Sequence, residues 1–465
     1  MVDEWDDHWR EECGIFGISE DARAAEKVYL GLYSLQHRGQ ESAGIAATDG
    51  SDITLHKGLG LVWSVFSDPS AMPKLKGSTA IGHNRYSTKG TTDIINAQPI
   101  VIECKSGKIA VAHNGTITNA TELRKGMQES GSIFQTTSDS EIVLHLIARS
   151  RHEEVVDAIM DALNRLVGAF CFLFLTRDKL IGVRDPFGFR PLSIGKLDDS
   201  YVLASETCAF DIIGAQYLRT VEPGEVIVID GGGLKSLRLP EAPRRCFCIF
   251  EHIYFSRPDS LIFGEKVDKI RRKLGKQLAA EAPTDADIVI AVPDSGNTAA
   301  LGFARASNLK YEIGLIRNHY VGRTFIAPHQ DKRMLDVKVK LNPVPGVIGD
   351  RRVVLVDDSI VRGTTMRQIV KLLRDKGAEE VHVRISSPPI RHPCYYGIDI
   401  SRYAELIACE KTVEEIRTYI EAESLGYLSI PGMLGAVENG SDYCTACFDG
   451  RYPTSVPSDF DKYRF

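Results

Sequence analysis

Three groups of residues have the types and spacing to do chemistry. In the first, the apolar run Arg352-Val353-Val354-Leu355-Val356 leads into Asp357-Asp358-Ser359-Ile360-Val361-Arg362-Gly363-Thr364-Thr365, two acids and then a hydroxyl- and glycine-rich turn that opens a helix. Adjacent carboxylates at a strand end can hold ribose hydroxyls or the cation that accompanies a polyphosphate. The turn after them offers N–H groups and hydroxyls at a helix N-terminus, where the dipole favours a phosphate. A second apolar run, residues 288–292, ends in the tight turn Pro293-Asp294-Ser295-Gly296. The next group begins at Cys13, at the start of a strand, and continues through Leu35-Gln36-His37-Arg38-Gly39-Gln40, Gly82-His83-Asn84-Arg85-Tyr86, His113-Asn114-Gly115 and Ser138-Asp139-Ser140-Glu141. A cysteine can be a nucleophile, a guanidinium fork suits a carboxylate, and neutral donors suit a developing oxyanion. Taken singly, these residues have plainer readings: Asn114-Gly115 is a good hairpin turn and Arg85 a solvated surface arginine. The third group is the C-x-x-C of Cys444 and Cys447, whose thiolates can face one centre. Its spacing accepts zinc, an iron–sulfur cluster or a redox pair.

Elements must place these groups. Up to about residue 230, β-branched or aromatic runs at residues 13–18, 109–112, 169–175, 201–204 and 225–229 alternate with turns, and helical periodicity appears at 24–36, 138–148 and 153–166. The pattern predicts stacked sheets with helices on their faces. Asp230-Gly231-Gly232-Gly233, followed by residues 239–243, forms a turn-rich connector and the candidate domain boundary. Beyond it, strands at 287–292, 352–356 and 381–385 alternate with helices at 297–306 and 365–376, as in a parallel, doubly wound sheet. Ligands bind beyond the carboxyl ends of such strands.

Composition sets limits on this reading. The 465 residues, 43% hydrophobic and 25% charged, are ordinary for a globular chain of several domains. A formal charge of -6 without long basic runs excludes a general nucleic-acid binder. The most apolar segment, residues 166–176, is far shorter than the ~20 residues that span a bilayer, so no membrane helix is expected. The acidic residues 1–12 lack the features of a secretory signal, which predicts a cytoplasmic protein. Ten cysteines are too few for a disulfide scaffold at this length, and Cys104, Cys171 and Cys208, among apolar or strand-like neighbours, are expected to be filler.

Residues 352–365 closely resemble the phosphoribosyl pyrophosphate signature of the type I phosphoribosyltransferases, and residues 288–296 resemble that family's pyrophosphate loop. The resemblance implies that Asp357, Asp358, Ser359, Ile360, Val361, Arg362, Gly363, Thr364 and Thr365 bind the sugar phosphate, and that Ser295, Asp357 and Asp358 hold Mg²⁺. Arg323 lies in the segment beginning Tyr320-Val321-Gly322, similar to a loop that closes over the sugar phosphate. The segments around Cys13 resemble the class II, N-terminal-nucleophile (Ntn) glutamine amidotransferases. That family implies a four-layer αββα domain over residues 13–240, and a propeptide at 1–12 whose removal frees the Cys13 α-amine to act as base. An α-amine titrates near neutrality, so no separate histidine is needed. By the same resemblance Cys13 is the nucleophile, Asn114 and the Gly115 N–H form the oxyanion hole, and Arg85 and Asp139 hold the α-carboxylate and α-ammonium of glutamine.

The two halves joined, from Cys13 to about Pro453, resemble the glutamine phosphoribosylpyrophosphate amidotransferase family. Residues 241–465 would then be a phosphoribosyltransferase domain, a parallel sheet with flanking helices, ending in a cluster-binding tail. The family implies synthesis of 5-phosphoribosylamine, the committing step of purine synthesis, with ammonia channelled from one site to the other. It also implies one Mg²⁺ per subunit, purine nucleotide inhibitors and a homotetramer. One branch carries a 4Fe-4S cluster, one per subunit, and correspondence with that branch selects Cys248, Cys394, Cys444 and Cys447. Cys246 is a near neighbour of the first ligand, and Cys409 has no matching position. A regulatory binding protein with this fold would have no use for the Cys13 set, and amidotransferases with other acceptors lack residues 353–365.

Overall fold

The apolar runs of the first half pair into two stacked antiparallel sheets in the computed structural model, which describes residues 13–86, 93–318, 340–400 and 403–456. One sheet runs, in spatial order, Gln216–Thr220, Ser193–Leu197, Ser200–Ala204, Gly14–Ile18, Thr79–Arg85, Ser42–Thr48 and Ile53–Leu59. The other runs Gly233–Arg238, Glu225–Asp230, Leu180–Arg184, Gly168–Leu175, Gly107–Ile117 and Ile100–Cys104. Because successive side chains on a strand point to opposite faces, each strand serves two layers. Ile15, Ile81, Ala110, Ala112, Cys171 and Leu173 fill the space between the sheets. Phe16 and Ile18 pack with Val28 and Leu32 of the helix Ala24–Ser34 on one outer face. On the other, Phe170, Phe172 and Phe174 pack with Ile142 and Leu146 of Ser140–Arg149 and with Ile159 of Val155–Leu163. The layering is the αββα of the Ntn amidotransferases.

The second half has a five-stranded parallel sheet, in the order Lys310–Tyr311, Ile288–Ala291, Arg352–Asp357, Glu380–Ile385 and Ser424–Tyr427. The same alternation builds both its faces. Val289, Ala291, Val354 and Val356 meet Ile270, Leu274 and Phe303 of the helices Val267–Glu281 and Asn297–Ser307. Ile288, Ile290, Val353 and Leu355 meet Ile369, Val370 and Leu373 of the helix Thr364–Asp375. Among the described residues no helix is long and apolar enough to cross a membrane.

Two sequence expectations need correction. Asp230-Gly231-Gly232-Gly233 is not a linker: it is the hairpin turn between Glu225–Asp230 and Gly233–Arg238, which pair from Asp230↔Gly233 to Glu225↔Arg238. The glycines serve the turn, and only the Leu239-to-Pro243 part of the connector lies outside the sheet. The first helix also ends at Ser34, because Gln36–Arg38 tightens to a 3₁₀ turn in which the Gln36 side chain bonds the Gly39 carbonyl and the Val62 N–H.

Candidate active site

Strand register assembles the first centre. Gly14 pairs with Asn84, and Asn84 and Arg85 pair with Ala43 and Ser42, so Cys13 and Arg85 share one end of the strand set. The Cys13 thiol donates to the Tyr86 carbonyl at 3.6 Å and is only 8% exposed. Arg85, far from being a solvated surface residue, is 3% exposed. Burial lowers its pKa, while Cys13, Glu41 and Asp139 act in the opposite direction as nearby negative charge. Three separate segments therefore supply Cys13, Arg85 and Asp139 to one neighbourhood. Asp139 precedes the helix Ser140–Arg149, and its Oδ2 accepts the Ile117 N–H at 2.9 Å.

Asn114 and Gly115 are not a hairpin turn. They lie inside the strand Gly107–Ile117, opposite Cys171 and Phe170. Gly115 has φ +141°, and a Cβ there would sit 2.1 Å from the Ala169 carbonyl oxygen, so no other residue fits. The Asn114 Nδ2 is buried with no hydrogen-bond partner among the described residues. A buried amide left unsatisfied is costly, which suits a donor reserved for a ligand oxygen. Behind this strand His113 stacks on Phe172, and its Nδ1 lies 2.9 Å from Ser140 Oγ.

The second centre lies beyond the carboxyl ends of the parallel strands. Asp357 ends its strand, and its Oδ1 accepts the Asp358 N–H at 2.9 Å. The turn after Ile288–Ala291 brings Ser295 across, so that its hydroxyl donates to Asp358 Oδ1 at 2.6 Å, while the Ser359 hydroxyl donates to Oδ2. Burial, and then the adjacent Asp358 carboxylate, push the Asp357 carboxyl well above the usual carboxylate range. A hard divalent cation relieves such crowding, and oxygen donors of this kind fit Mg²⁺. Ile360, Val361 and Arg362 lead to Gly363, which at φ +77° begins the helix Thr364–Asp375 without a side-chain cap. The Val361 carbonyl accepts the Ile407 N–H and Arg362 pairs with Glu405, fixing the loop's outer side. Arg323, with residues 320–326, lies outside the described residues, as does the expected propeptide at 1–12.

Sulfurs gather at a third place. Phe247–Cys248 and Tyr443–Cys444 form a two-strand parallel pair with Cys248 opposite Cys444. Cys248, Cys394, Cys444 and Cys447 line one cavity, otherwise walled by apolar side chains such as Phe189, Phe250 and Ile398. Cys246 is buried but outside that lining, and the exposed Cys409 bonds the Arg391 carbonyl. Burial pushes the Cys444 thiol up to about 12 and Cys447 well above its ordinary value, with Cys394, Cys444 and Cys248 adding to the latter. Among the described residues no group of three or more His, Cys, Asp or Glu is arranged to hold a metal ion. The four cysteines share the lining of one cavity. Of the three cysteines expected as filler, Cys171 and Cys208 are buried and Cys104 is half-buried.

The sequence reading missed a buried quartet of charges between the halves. Arg38 Nε donates to the Cys13 carbonyl at 3.2 Å, Nη1 to Glu206 at 2.6 Å, and Nη2 to Glu251 Oε1 at 2.8 Å. Arg190 Nη1 reaches Glu251 at 3.4 Å. All four side chains are wholly buried. Their signal was charge in apolar company, since Glu251 follows Ile249-Phe250 and precedes Ile253.

Residues 83–211 match the glutamine amidotransferase domain family and residues 265–396 the phosphoribosyl transferase domain family. An amidophosphoribosyltransferase of Bacillus subtilis is 52% identical over 455 residues, covering 97% of this chain and 95% of that protein. One from Methanothermobacter thermautotrophicus is 47% identical over 462 residues, covering 98% and 97%. The solved structure of glutamine phosphoribosylpyrophosphate amidotransferase from B. subtilis complexed with ADP and GMP superposes with a TM-score of 0.92 at 51% identity, over 96% of this chain and 98% of that one.

Proposed function

The chain belongs to the amidophosphoribosyltransferase family, and we propose that the two centres described above divide that family's reaction between them. The protein is an enzyme that makes 5-phosphoribosylamine, glutamate and pyrophosphate from glutamine, phosphoribosyl pyrophosphate and water, the first committed step of purine nucleotide synthesis. In this reading Cys13 Sγ attacks the glutamine side-chain carbonyl. Asn114 Nδ2 and the Gly115 N–H receive the oxyanion, as preorganised donors at the point where charge develops. The Cys13 α-amine, freed by removal of residues 1–12, takes the thiol proton and passes it to the departing ammonia. Water then hydrolyses the thioester to glutamate. Arg85 and Asp139 hold the substrate's α-carboxylate and α-ammonium through opposite charge.

Ammonia passes inside the protein to the second centre and displaces pyrophosphate from the anomeric carbon. The loop from Asp357 to Thr365 holds the ribose hydroxyls and the 5-phosphate, with Arg323 closing over them. Asp357, Asp358 and Ser295 would hold Mg²⁺, one per subunit, which when bound neutralises the leaving pyrophosphate. Cys248, Cys394, Cys444 and Cys447 would hold a 4Fe-4S cluster, one per subunit, which ties the C-terminal segment to the domain junction. Residues 13–240 and 241–465 are the two domains. The enzyme works in the cytoplasm as a homotetramer inhibited by purine nucleotides.

The observation that carries this reading is the meeting of Cys13, Arg85 and Asp139, drawn from three distant segments. Pyrophosphate release should require phosphoribosyl pyrophosphate together with either glutamine or ammonium; release in the absence of both nitrogen sources would refute it. Anaerobically purified protein should be brown with about four irons per chain. A colourless protein holding one zinc would remove the cluster.

A further inference from the structure

We propose that Glu251, a residue of the second half, is a positioning residue for the nucleophile of the first, acting through Arg38; this rests on the reading of Cys13 as that nucleophile. A guanidinium is a planar, rigid fork with donors along three edges. Arg38 sets Nη2 on Glu251 Oε1 at 2.8 Å and Nη1 on Glu251 Oε2 at 2.9 Å. With that edge fixed on a carboxylate, the direction of the Nε–H is fixed too, and it points at the Cys13 carbonyl, 3.2 Å away. That carbonyl is bonded to the Cα that bears the amine and, through Cβ, the thiol. Holding it determines where nucleophile and base lie relative to Asn114 and Arg85.

Glu251 is itself anchored on the far side. Ser256 Oγ donates to its Oε2 at 2.7 Å, and Arg190, which reaches Oε1, donates to the Tyr396 carbonyl through Nε at 3.0 Å and Nη2 at 2.6 Å. The turn Glu251–Phe255 is clasped by Arg271, which donates to the carbonyls of His252, Tyr254 and Ser256 at 2.7 to 2.8 Å. Net stability does not explain this construction well, because buried ion pairs add little over apolar packing of the same volume. Directional control does explain it. None of these hydrogen bonds involves Arg85 or Asp139, so substrate binding and nucleophile placement should separate.

The test uses the full-length, processed enzyme, measuring glutamate release and ammonia-dependent synthesis in parallel. Misplacing a reacting group by roughly 1 Å costs on the order of 10²-fold, so Glu251→Gln should lower kcat for glutamate release about 30- to 100-fold. KM for glutamine and the ammonia-dependent rate should stay within about threefold, since neither depends on the Cys13 carbonyl. Arg38→Lys, which keeps the buried charge but loses the Nε–H, should give the same split. An unchanged kcat overturns the proposal. So does a fall of KM, kcat and the ammonia-dependent rate in step, or failure of both variants to fold, since these outcomes assign the quartet to holding the halves together. Cys13→Ala is run beside them: glutamate release surviving there would instead overturn the assignment of the nucleophile.

Discussion

The two centres differ in what holds their residues. At the first, Cys13, Arg85, Asn114 and Asp139 come from four segments, and the pairing of antiparallel strands sets their spacing. At the second, nearly every residue belongs to one stretch beyond a strand end, and among the described residues Ser295 is brought across from another turn. Backbone fixed by a ladder leaves little room for adjustment, as the 2.1 Å approach at Gly115 makes plain. A loop beyond a sheet can stay open for a large, highly charged substrate and its cation. On the proposed assignment, the contrast pairs a site set by strand pairing for a small amide with a site carried mainly on one loop for a polyphosphate.

The largest expected effect breaks the centres apart outright. Cys13→Ala should reduce glutamine-dependent synthesis by on the order of 10⁴-fold or more, the scale of losing a nucleophile, while ammonium still supports product formation. Loss of the ammonium reaction in well-folded protein would mean that the centres are not separate. Next, Asp357→Asn or Asp358→Asn should lower synthesis from either nitrogen source by roughly 10²- to 10³-fold, through lost stabilisation of the leaving pyrophosphate. Retention of either synthesis at full rate would sink the assignment of that loop. Asn114→Ala sharpens the first centre, with kcat for glutamate release falling about 10²-fold, as for other single oxyanion donors. A change confined to KM would move Asn114 from the oxyanion to ground-state binding.

The smallest effect is a pH dependence that is flat near neutrality and shows only in acid. Burial alone would raise the Glu251 carboxyl, but Arg38 and Arg190 hold it down to about 2. A carboxyl whose folded value lies below its unfolded one stabilises at higher pH, and that stabilisation is lost as pH falls from about 4.5 towards 2. Urea midpoints for wild type should therefore drop more steeply than those of Glu251→Gln across that window. Parallel curves would show that the quartet does not hold Glu251 ionised.

How much was legible in the sequence follows the same contrast. The loop from Asp357 to Thr365 could be read directly, since strand, acids, turn and helix lie in one stretch of residues. The cysteine-centred site was legible only as a resemblance across scattered segments, because no local pattern says that Arg85 will pair near Cys13. Local reading misled where tertiary pairing overruled it: Asn114-Gly115 looks like a turn yet runs mid-strand, and Asp230-Gly231-Gly232-Gly233 looks like a linker yet closes a hairpin. The quartet left only a faint signal, charge in apolar company, for a related reason. Arg38 and Glu251 reveal themselves only when two distant segments are buried against each other, and a lone charge in a sequence is ordinarily assigned to solvent.

The pairing of Phe247–Cys248 with Tyr443–Cys444 has a consequence for how the chain is made. Synthesis is vectorial, and the αββα half can fold while the ribosome is still at work. The short strand at Cys248 cannot, because its partner at Tyr443–Cys444 is made nearly two hundred residues later. A chain abandoned before that moment carries an unpaired strand edge and uncovered thiols at the joint between its halves. Chains with and without that second strand thus differ at one spot, the edge that Phe247–Cys248 leaves open until Tyr443–Cys444 covers it.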